Sequence, residues 1–116
     1  MSNVKRIKAS FFKTELGKEP VRDWLMSLPK DERQKIGENI KTVEFGFPIG
    51  MPTCRPMGKG LYEVRTNLEN KITRVLFSVE GDMMILLHGF VKKTQKTPKE
   101  DLDLAFKRQS AFRNKI

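Results

Sequence analysis

The sequence predicts an α+β fold, in which helices pack on a small antiparallel sheet in the order β-α-α-β-β-β-α. Three observations predict it. Apolar residues alternate in a first strand candidate, residues 4–12, and they recur at helical spacing through residues 20–47. Three further strand patterns follow within residues 61–91, separated by short turns. The chain has 116 residues, the size of one domain, so residues 1–116 are predicted to form a single unit.

The N-terminal elements follow from apolar spacing and proline positions. Ile7, Ala9 and Phe11 alternate with polar residues, as in a half-buried strand. Pro20 suits the first turn of a helix. The residues after it form one apolar face that includes Trp24, which is predicted to lie in the core.

A second helix is predicted to begin near Asp31, because Pro29 ends the first helix and aspartate is a good capping residue. Two helices joined across a proline are expected to form an antiparallel hairpin. Residues 46–60 are rich in glycine and proline and are predicted to be a loop. Loops of this length in a small domain are often functional or binding segments.

The C-terminal half is predicted to contain an antiparallel meander and a final helix. The strands are residues 61–68, 72–79 and 83–91. The third strand is apolar on both alternations, so it is expected to be central and covered on both faces. Thr97 and Glu100 have the spacing of a capping box, which predicts that the last helix begins there, with Pro98 at its first position.

Composition indicates a folded protein with an anionic partner. Lys and Arg number 23 against 14 Asp and Glu, a formal net charge of +9. This excess favours a polyanion or an acidic protein as partner. No apolar run is long enough to span a bilayer, and the N-terminus lacks a secretory pattern, so we expect a cytoplasmic protein without membrane contact. One cysteine and one histidine argue against a metal site, and no cofactor-binding motif is found, so no cofactor is expected.

Strand periodicity predicts that cations meet on one face of the sheet. If the apolar faces of the three strands coincide, Arg65, Arg74 and His88 converge on the opposite face. Phe90 continues that row toward three lysines, Lys92, Lys93 and Lys96. Two arginines on adjacent strands repel each other unless an anion lies between them. Guanidinium groups form bidentate hydrogen bonds with phosphate oxygens, and an aromatic ring beside them can stack on a base.

Each of these residues also has a purely structural interpretation. Glu63 can neutralise the arginine pair as well as a phosphate can. His88 at the end of an apolar run is more often a hydrogen-bonded structural residue, and the lysine-rich residues 91–96 are typical of a solvated connection. Cys54 has no predicted base beside it and is interpreted as incidental.

The motifs LYEVR, TRVLF and LLHGFVKKTQKTP, followed by an amphipathic helix, cover about residues 58–108. In these motifs the sequence resembles the RelE/ParE superfamily of bacterial toxins, and more specifically its phage-derived Gp49-like, HigB-type branch. The resemblance implies a RelE-like fold. It also implies the toxin of a type II toxin–antitoxin system that cleaves mRNA on the ribosome without a metal ion.

The resemblance assigns roles to individual residues. Arg65 and Arg74 match basic positions that hold the scissile phosphate, with Lys59 a weaker phosphate contact. Lys92 or Lys93 matches a basic position that neutralises charge or donates a proton. His88 is the candidate general base or acid, because histidine titrates near ~6.5. Several family nucleases use a tyrosine near the C-terminus, whereas the only tyrosine here is Tyr62.

Alternatives and partners also follow from the resemblance. ParE-like members share the fold and inhibit DNA gyrase without cutting RNA, and a basic nucleic-acid-binding module is a third possibility. The expected partners are a helix-turn-helix, HigA-like antitoxin, the ribosome and mRNA, with operator DNA bound only through the antitoxin. Apolar residues within 47–57 are candidates for contact with the antitoxin.

Overall fold

The computed structural model describes residues 4–93 and 95–115, and it confirms the α+β class. Within those residues it has three helices and one five-stranded mixed sheet. The elements in chain order are β1 (Lys8–Phe11), α1 (Pro20–Met26), α2 (Lys30–Gly46), β2 (Cys54–Gly58), β3 (Leu61–Asn67), β4 (Ile72–Glu80), β5 (Met83–Val91) and α3 (Lys99–Asn114). The strand order across the sheet is β1-β5-β4-β3-β2.

The sheet differs from the prediction in the direction of β1. This strand is shorter than predicted and lies parallel to β5, with Lys8 opposite Met83 and Phe11 opposite Leu86. The other neighbours are antiparallel, so the sheet is mixed and the prediction of a purely antiparallel sheet was wrong. Strand direction depends on how the chain returns to the sheet, which apolar alternation does not reveal.

The second difference is an additional strand, β2, inside the segment predicted to be a loop. It pairs with β3 through a tight turn at Lys59, whose φ of 57° is left-handed. Pro56 has no N–H to donate, which an edge strand tolerates because its outer side needs no partner. The observed order is therefore β-α-α-β-β-β-β-α.

The three helices begin close to where they were predicted, but the predicted capping of α3 is not observed. Both α1 and α2 pack chiefly on the sheet, and their packing as an antiparallel hairpin stays a prediction. Helix α3 has Pro98 at its N-cap and no side-chain cap bond, so the predicted capping box does not form. The Thr97 hydroxyl binds Glu63 instead.

Both faces of the sheet are buried. The face under α1 and α2 contains Val64, Val75, Phe77 and Met84, and the face under α3 contains Leu61, Leu76, Ile85 and Leu87. Strand β5 contributes to both clusters, which confirms the prediction that it is covered on both faces, but the middle strand of the sheet is β4. No helix in the described part of the chain is long and apolar enough to cross a membrane.

A β-bulge in β5 determines which side chains share a face with the arginines. Phe77 lies opposite Leu86 and Leu76 lies opposite His88, so Leu87 is left without a cross-strand partner. Arg108 donates to the carbonyl oxygen of Leu87 at 2.7 Å. Because of the extra residue, His88 and the residues after it point to the opposite face from the one that uninterrupted alternation would give them. His88 therefore reaches the α3 face through the bulge, rather than through the uniform alternation that the sequence predicts.

Gly89 lies directly under the indole ring of Trp24. A Cβ added there would lie 2.3 Å from Cε3 of Trp24. We expect Gly89→Ala to lower the free energy of unfolding by ~1–3 kcal/mol through overpacking. Gly37→Ala is the matched control, because nothing lies within 4 Å of the added methyl group on α2. Gly37→Ala should raise the free energy of unfolding by ~0.5–1 kcal/mol. Urea denaturation of both variants and the wild type measures the two changes. Equal effects of the two variants would contradict this packing.

Candidate functional site

Three cations lie along one edge of the α3 face of the sheet. Arg65 near the end of β3 is directly opposite Arg74 near the start of β4, and Arg74 is opposite Phe90 of β5. Lys92 follows two residues after Phe90, and its backbone N–H bonds the carbonyl oxygen of Ile72. Side chains two residues apart share a face. The structure therefore brings Arg65, Arg74, Phe90 and Lys92 together as the sequence predicts.

Arg74 is held by a buried carboxylate rather than presented to solvent. Its Nη1 lies 2.8 Å from Oε1 of Glu63, and the two side chains are only 4% and 2% exposed. Nη1 also donates to the hydroxyl of Thr97 at 3.2 Å, and that hydroxyl donates to Oε2 of Glu63 at 2.6 Å. Nη2 approaches the carbonyl oxygen of Gln95 at 3.5 Å. The pair thus fastens the connection between β5 and α3 to the sheet.

Arg65 has the opposite environment. It is partly buried and no carboxylate in the described part of the chain pairs with it, although its Nε, like that of Arg74, is buried without a hydrogen-bond partner. Its direct neighbour across the strands is another guanidinium, that of Arg74. A desolvated donor next to a like charge is an unfavourable arrangement that an anion would relieve.

Lys92 is electrostatically coupled to this pair of arginines. Partial desolvation lowers the pKa of its amine from the ordinary value of 10.5, the charges of Arg74 and then Arg65 lower it further, and Glu63 opposes them. A lysine with a lowered pKa is a stronger acid than a free one. The charge of Lys92 also adds to that of Arg65 at this edge of the sheet.

An open groove of about 660 Å³ adjoins these cations. One side is the turn between β3 and β4, which includes Asn67, Asn70 and one carboxylate, Glu69. The other side is formed by Lys92, Lys93 and Gln95. Carboxamides and ammonium groups around one groove can bind bases and phosphates of a single strand.

Most of the chain matches a known protein family. The sequence model of the family described as phage-derived protein Gp49-like (DUF891) matches residues 23–110. The chain belongs to this Gp49-like family. The matched range contains every predicted site residue, together with Glu63 and Thr97. No curated protein matches the sequence.

His88 of this Gp49-like chain is paired with an acid that sequence reasoning missed. Its Nε2 lies 2.6 Å from Oδ1 of Asp101 in the first turn of α3. Its ring also stacks on Phe90, with centroids 5.4 Å apart and an interplanar angle of 17°. The signal for Asp101 was only an acidic first helical turn, which is common because it complements the helix dipole.

Two predicted contacts lie away from the arginines. Lys59 precedes β3, at the opposite end of that strand from Arg65, and its Nζ lies 5.6 Å from the ring centroid of Phe106. The structure therefore does not bring Lys59 into the cation cluster formed by Arg65, Arg74 and Lys92. Lys96 is exposed in the connection between β5 and α3, and Lys93 is exposed on the groove. Thr94, within the same lysine-rich segment, lies outside the described residues.

Cys54 is buried in the core, where its thiol is expected to be unreactive. Burial, reinforced by the negative charge of Glu63, raises the pKa of its thiol to about 11. The thiolate is the reactive form, so this cysteine is a poor nucleophile near neutral pH. Among the described residues no group of three or more His, Cys, Asp or Glu could hold a metal ion.

Proposed function

We propose that this Gp49-like chain is the toxin of a type II toxin–antitoxin system, of the RelE/ParE superfamily and its HigB-type branch, and that it cleaves mRNA on the ribosome. The observation that carries the proposal is the Arg65 guanidinium, which no carboxylate of the described residues neutralises, beside Arg74 and Lys92 at one edge of the sheet. Family membership and the net charge of +9 support an anionic substrate.

The reaction is a transesterification that needs no metal ion. The O–H bond of a ribose 2′-hydroxyl breaks, and its proton passes to His88. The 2′-oxygen attacks the adjacent phosphorus and forms a P–O bond. The P–O5′ bond then breaks, and the leaving oxygen takes a proton from Lys92 or Lys93. The products are a 2′,3′-cyclic phosphate and a 5′-hydroxyl. Arg65 stabilises the charge that develops on the phosphorane.

The buried ion pair changes the role that we assign to Arg74. A guanidinium already bonded to Glu63 and Thr97 has few donors left for a substrate phosphate. In this proposal Arg74, whose charge is balanced by Glu63, holds Gln95 and Thr97 in place, while Arg65 and Lys92 make the phosphate contacts.

His88 and Lys92 lie on the same side of the sheet, and both can reach one phosphate only with their side chains inclined toward each other. His88 and Lys92 are four residues apart, ~13 Å between Cα atoms in an extended strand. Phe90 lies between them, at the position where a base next to the cleaved bond would stack.

Controlled induction in bacteria tests the proposed function. We expect growth to stop and transcripts to acquire new 5′-hydroxyl ends in translated regions within minutes. The control is the His88→Ala variant, expressed to the same level and shown to be folded by circular dichroism. Intact transcripts in arrested cells, together with inhibition of gyrase supercoiling in vitro, would favour the ParE-like alternative. Unchanged growth and intact transcripts would reject both toxin activities.

A cognate antitoxin is part of the proposal. A basic toxin that harms its own cell needs an inhibitor, and an acidic or helix-turn-helix partner would mask its charge. Co-expression with the adjacent short reading frame should restore growth and yield a co-purifying complex. Recovery of the toxin alone, without growth rescue, would argue against that partner.

A further inference from the structure

We propose that Asp101 is a positioning residue that fixes the proton of His88 on Nε2 and leaves Nδ1 free to accept a proton from the substrate. This inference rests on the proposed function, because it names a residue that acts through His88 in the same reaction. Asp101 is not part of the cation cluster. It reaches His88 from a different element, α3.

The geometry determines which nitrogen of the neutral ring carries the hydrogen. Nε2 and Oδ1 of Asp101 are 2.6 Å apart, a distance that requires a hydrogen between them. A carboxylate can only accept, so Nε2 of a neutral ring must donate. The single proton of neutral imidazole is then on Nε2, and Nδ1 carries a lone pair.

The surroundings hold the ring in this orientation. Phe90 stacks against one face at 5.4 Å, and Leu76 lies opposite His88 on β4. No described residue bonds Nδ1 in the structure. The His88 side chain stays 17% exposed and that of Asp101 22%, so the dyad is in contact with solvent and within reach of a ligand.

The bulge at Leu87 is what brings the two partners together. Without the extra residue, the alternation of β5 would place His88 on the face under α1 and α2, away from Asp101. Arg108 of α3 binds the bulged carbonyl oxygen at 2.7 Å, seven residues after Asp101. Helix α3 therefore holds both the bulge and the histidine.

Nuclear magnetic resonance of the single histidine tests the tautomer directly. His88 is the only histidine, so ¹⁵N-histidine labelling gives one pair of ring nitrogens. In alkaline buffer we expect Nε2 to be protonated and Nδ1 unprotonated, with a slowly exchanging Nε2 proton. That protection should disappear in Asp101→Ala. Protonation on Nδ1 in the wild type, or the same slow exchange in Asp101→Ala, would overturn the inference.

Cleavage kinetics distinguish positioning from a merely structural contact. Asp101→Asn keeps an acceptor for Nε2–H and the docking of α3, but it removes the charge that stabilises a protonated ring. We expect kcat to fall by ~10–100-fold with KM nearly unchanged, whereas His88→Ala should lose ~10²–10⁴-fold. Asp101→Glu should recover part of the loss. Asp103→Asn, an exposed residue of the same helical turn, is the matched control and should leave kcat unchanged.

The outcomes separate this inference from the proposed function. Wild-type kcat retained by Asp101→Asn would overturn the positioning role while cleavage itself stands. A wild-type protein that cuts no RNA would overturn the proposed function and the catalytic half of this inference. The nitrogen spectra would in that case still decide whether Asp101 fixes the tautomer.

Discussion

Replacing Arg74 with alanine is expected to lower the free energy of unfolding by about 3–5 kcal/mol. The cost arises because the carboxylate of Glu63, 2% exposed, would remain buried without its charged partner. Thr97 would also lose the Arg74 donor, and the segment before α3 would lose its attachment to β4. Urea denaturation followed by circular dichroism measures the loss.

Two comparisons separate a broken ion pair from a loss of packing. Arg74→Met combined with Glu63→Leu removes both charges and keeps the volume, so it should cost much less than Arg74→Ala alone. Arg65→Ala removes an equal charge from the neighbouring strand and should change stability by less than ~1 kcal/mol. If Arg74→Ala and the double variant were equally unstable, the ion pair would not be the cause.

The size of this effect determines how activity data on Arg74 are interpreted. A protein that loses 3–5 kcal/mol is close to the limit of stability for a small domain. Loss of toxicity in Arg74→Ala would therefore be consistent with unfolding as well as with a lost phosphate contact. The stable double variant is the better probe, because it removes the guanidinium from the site without leaving a buried charge.

Local signals were sufficient for most of the fold. Strands β3, β4 and β5 lie within one residue of their predicted bounds, because each is bordered by polar or glycine-containing turns that local sequence reveals. Strand β2 was missed because its glycine and proline content indicates a loop, and only its pairing with β3 makes it a strand. The parallel pairing of β1 has no local signal at all, since alternation is the same in either direction.

The candidate site was predictable only where strand alternation decides the geometry. Arg65 opposite Arg74 follows from period and register. The bulged residue Leu87 is itself neither glycine nor proline, although Gly89 lies two residues further along β5, and Arg108 of the distant helix α3 binds the bulged carbonyl oxygen. The partners Asp101 and Thr97 depend on how α3 docks, so the sequence alone could not show that His88 and Arg74 are already paired. Glu63 was the exception, because it shares a face of β3 with Arg65.

Arg65→Ala is expected to lower the rate of RNA cleavage by ~10²–10³-fold, the usual loss when one stabiliser of transition-state charge is removed. The physical reason is the state of this guanidinium in the free protein. It has no carboxylate partner among the described residues, and its Nε is buried and unsatisfied. Its terminal Nη groups carry no carboxylate, so they can bind an incoming phosphate, which would also screen the repulsion between Arg65 and Arg74.

Substitutions of Arg65 distinguish the effect of bidentate hydrogen bonding from the effect of positive charge. Arg65→Lys keeps the charge but loses the two parallel N–H groups, so it should recover only part of the rate. Arg22→Ala, which removes an exposed cation from α1, should leave cleavage unchanged. All three proteins should unfold at nearly the wild-type urea concentration, because Arg65 contributes no ion pair to the fold. Full activity of Arg65→Ala would instead mean that the phosphate lies elsewhere. The phosphate would then have to bind Arg74, after separation of Arg74 from Glu63, or the lysines along the groove. The cation cluster would not be the phosphate-binding site.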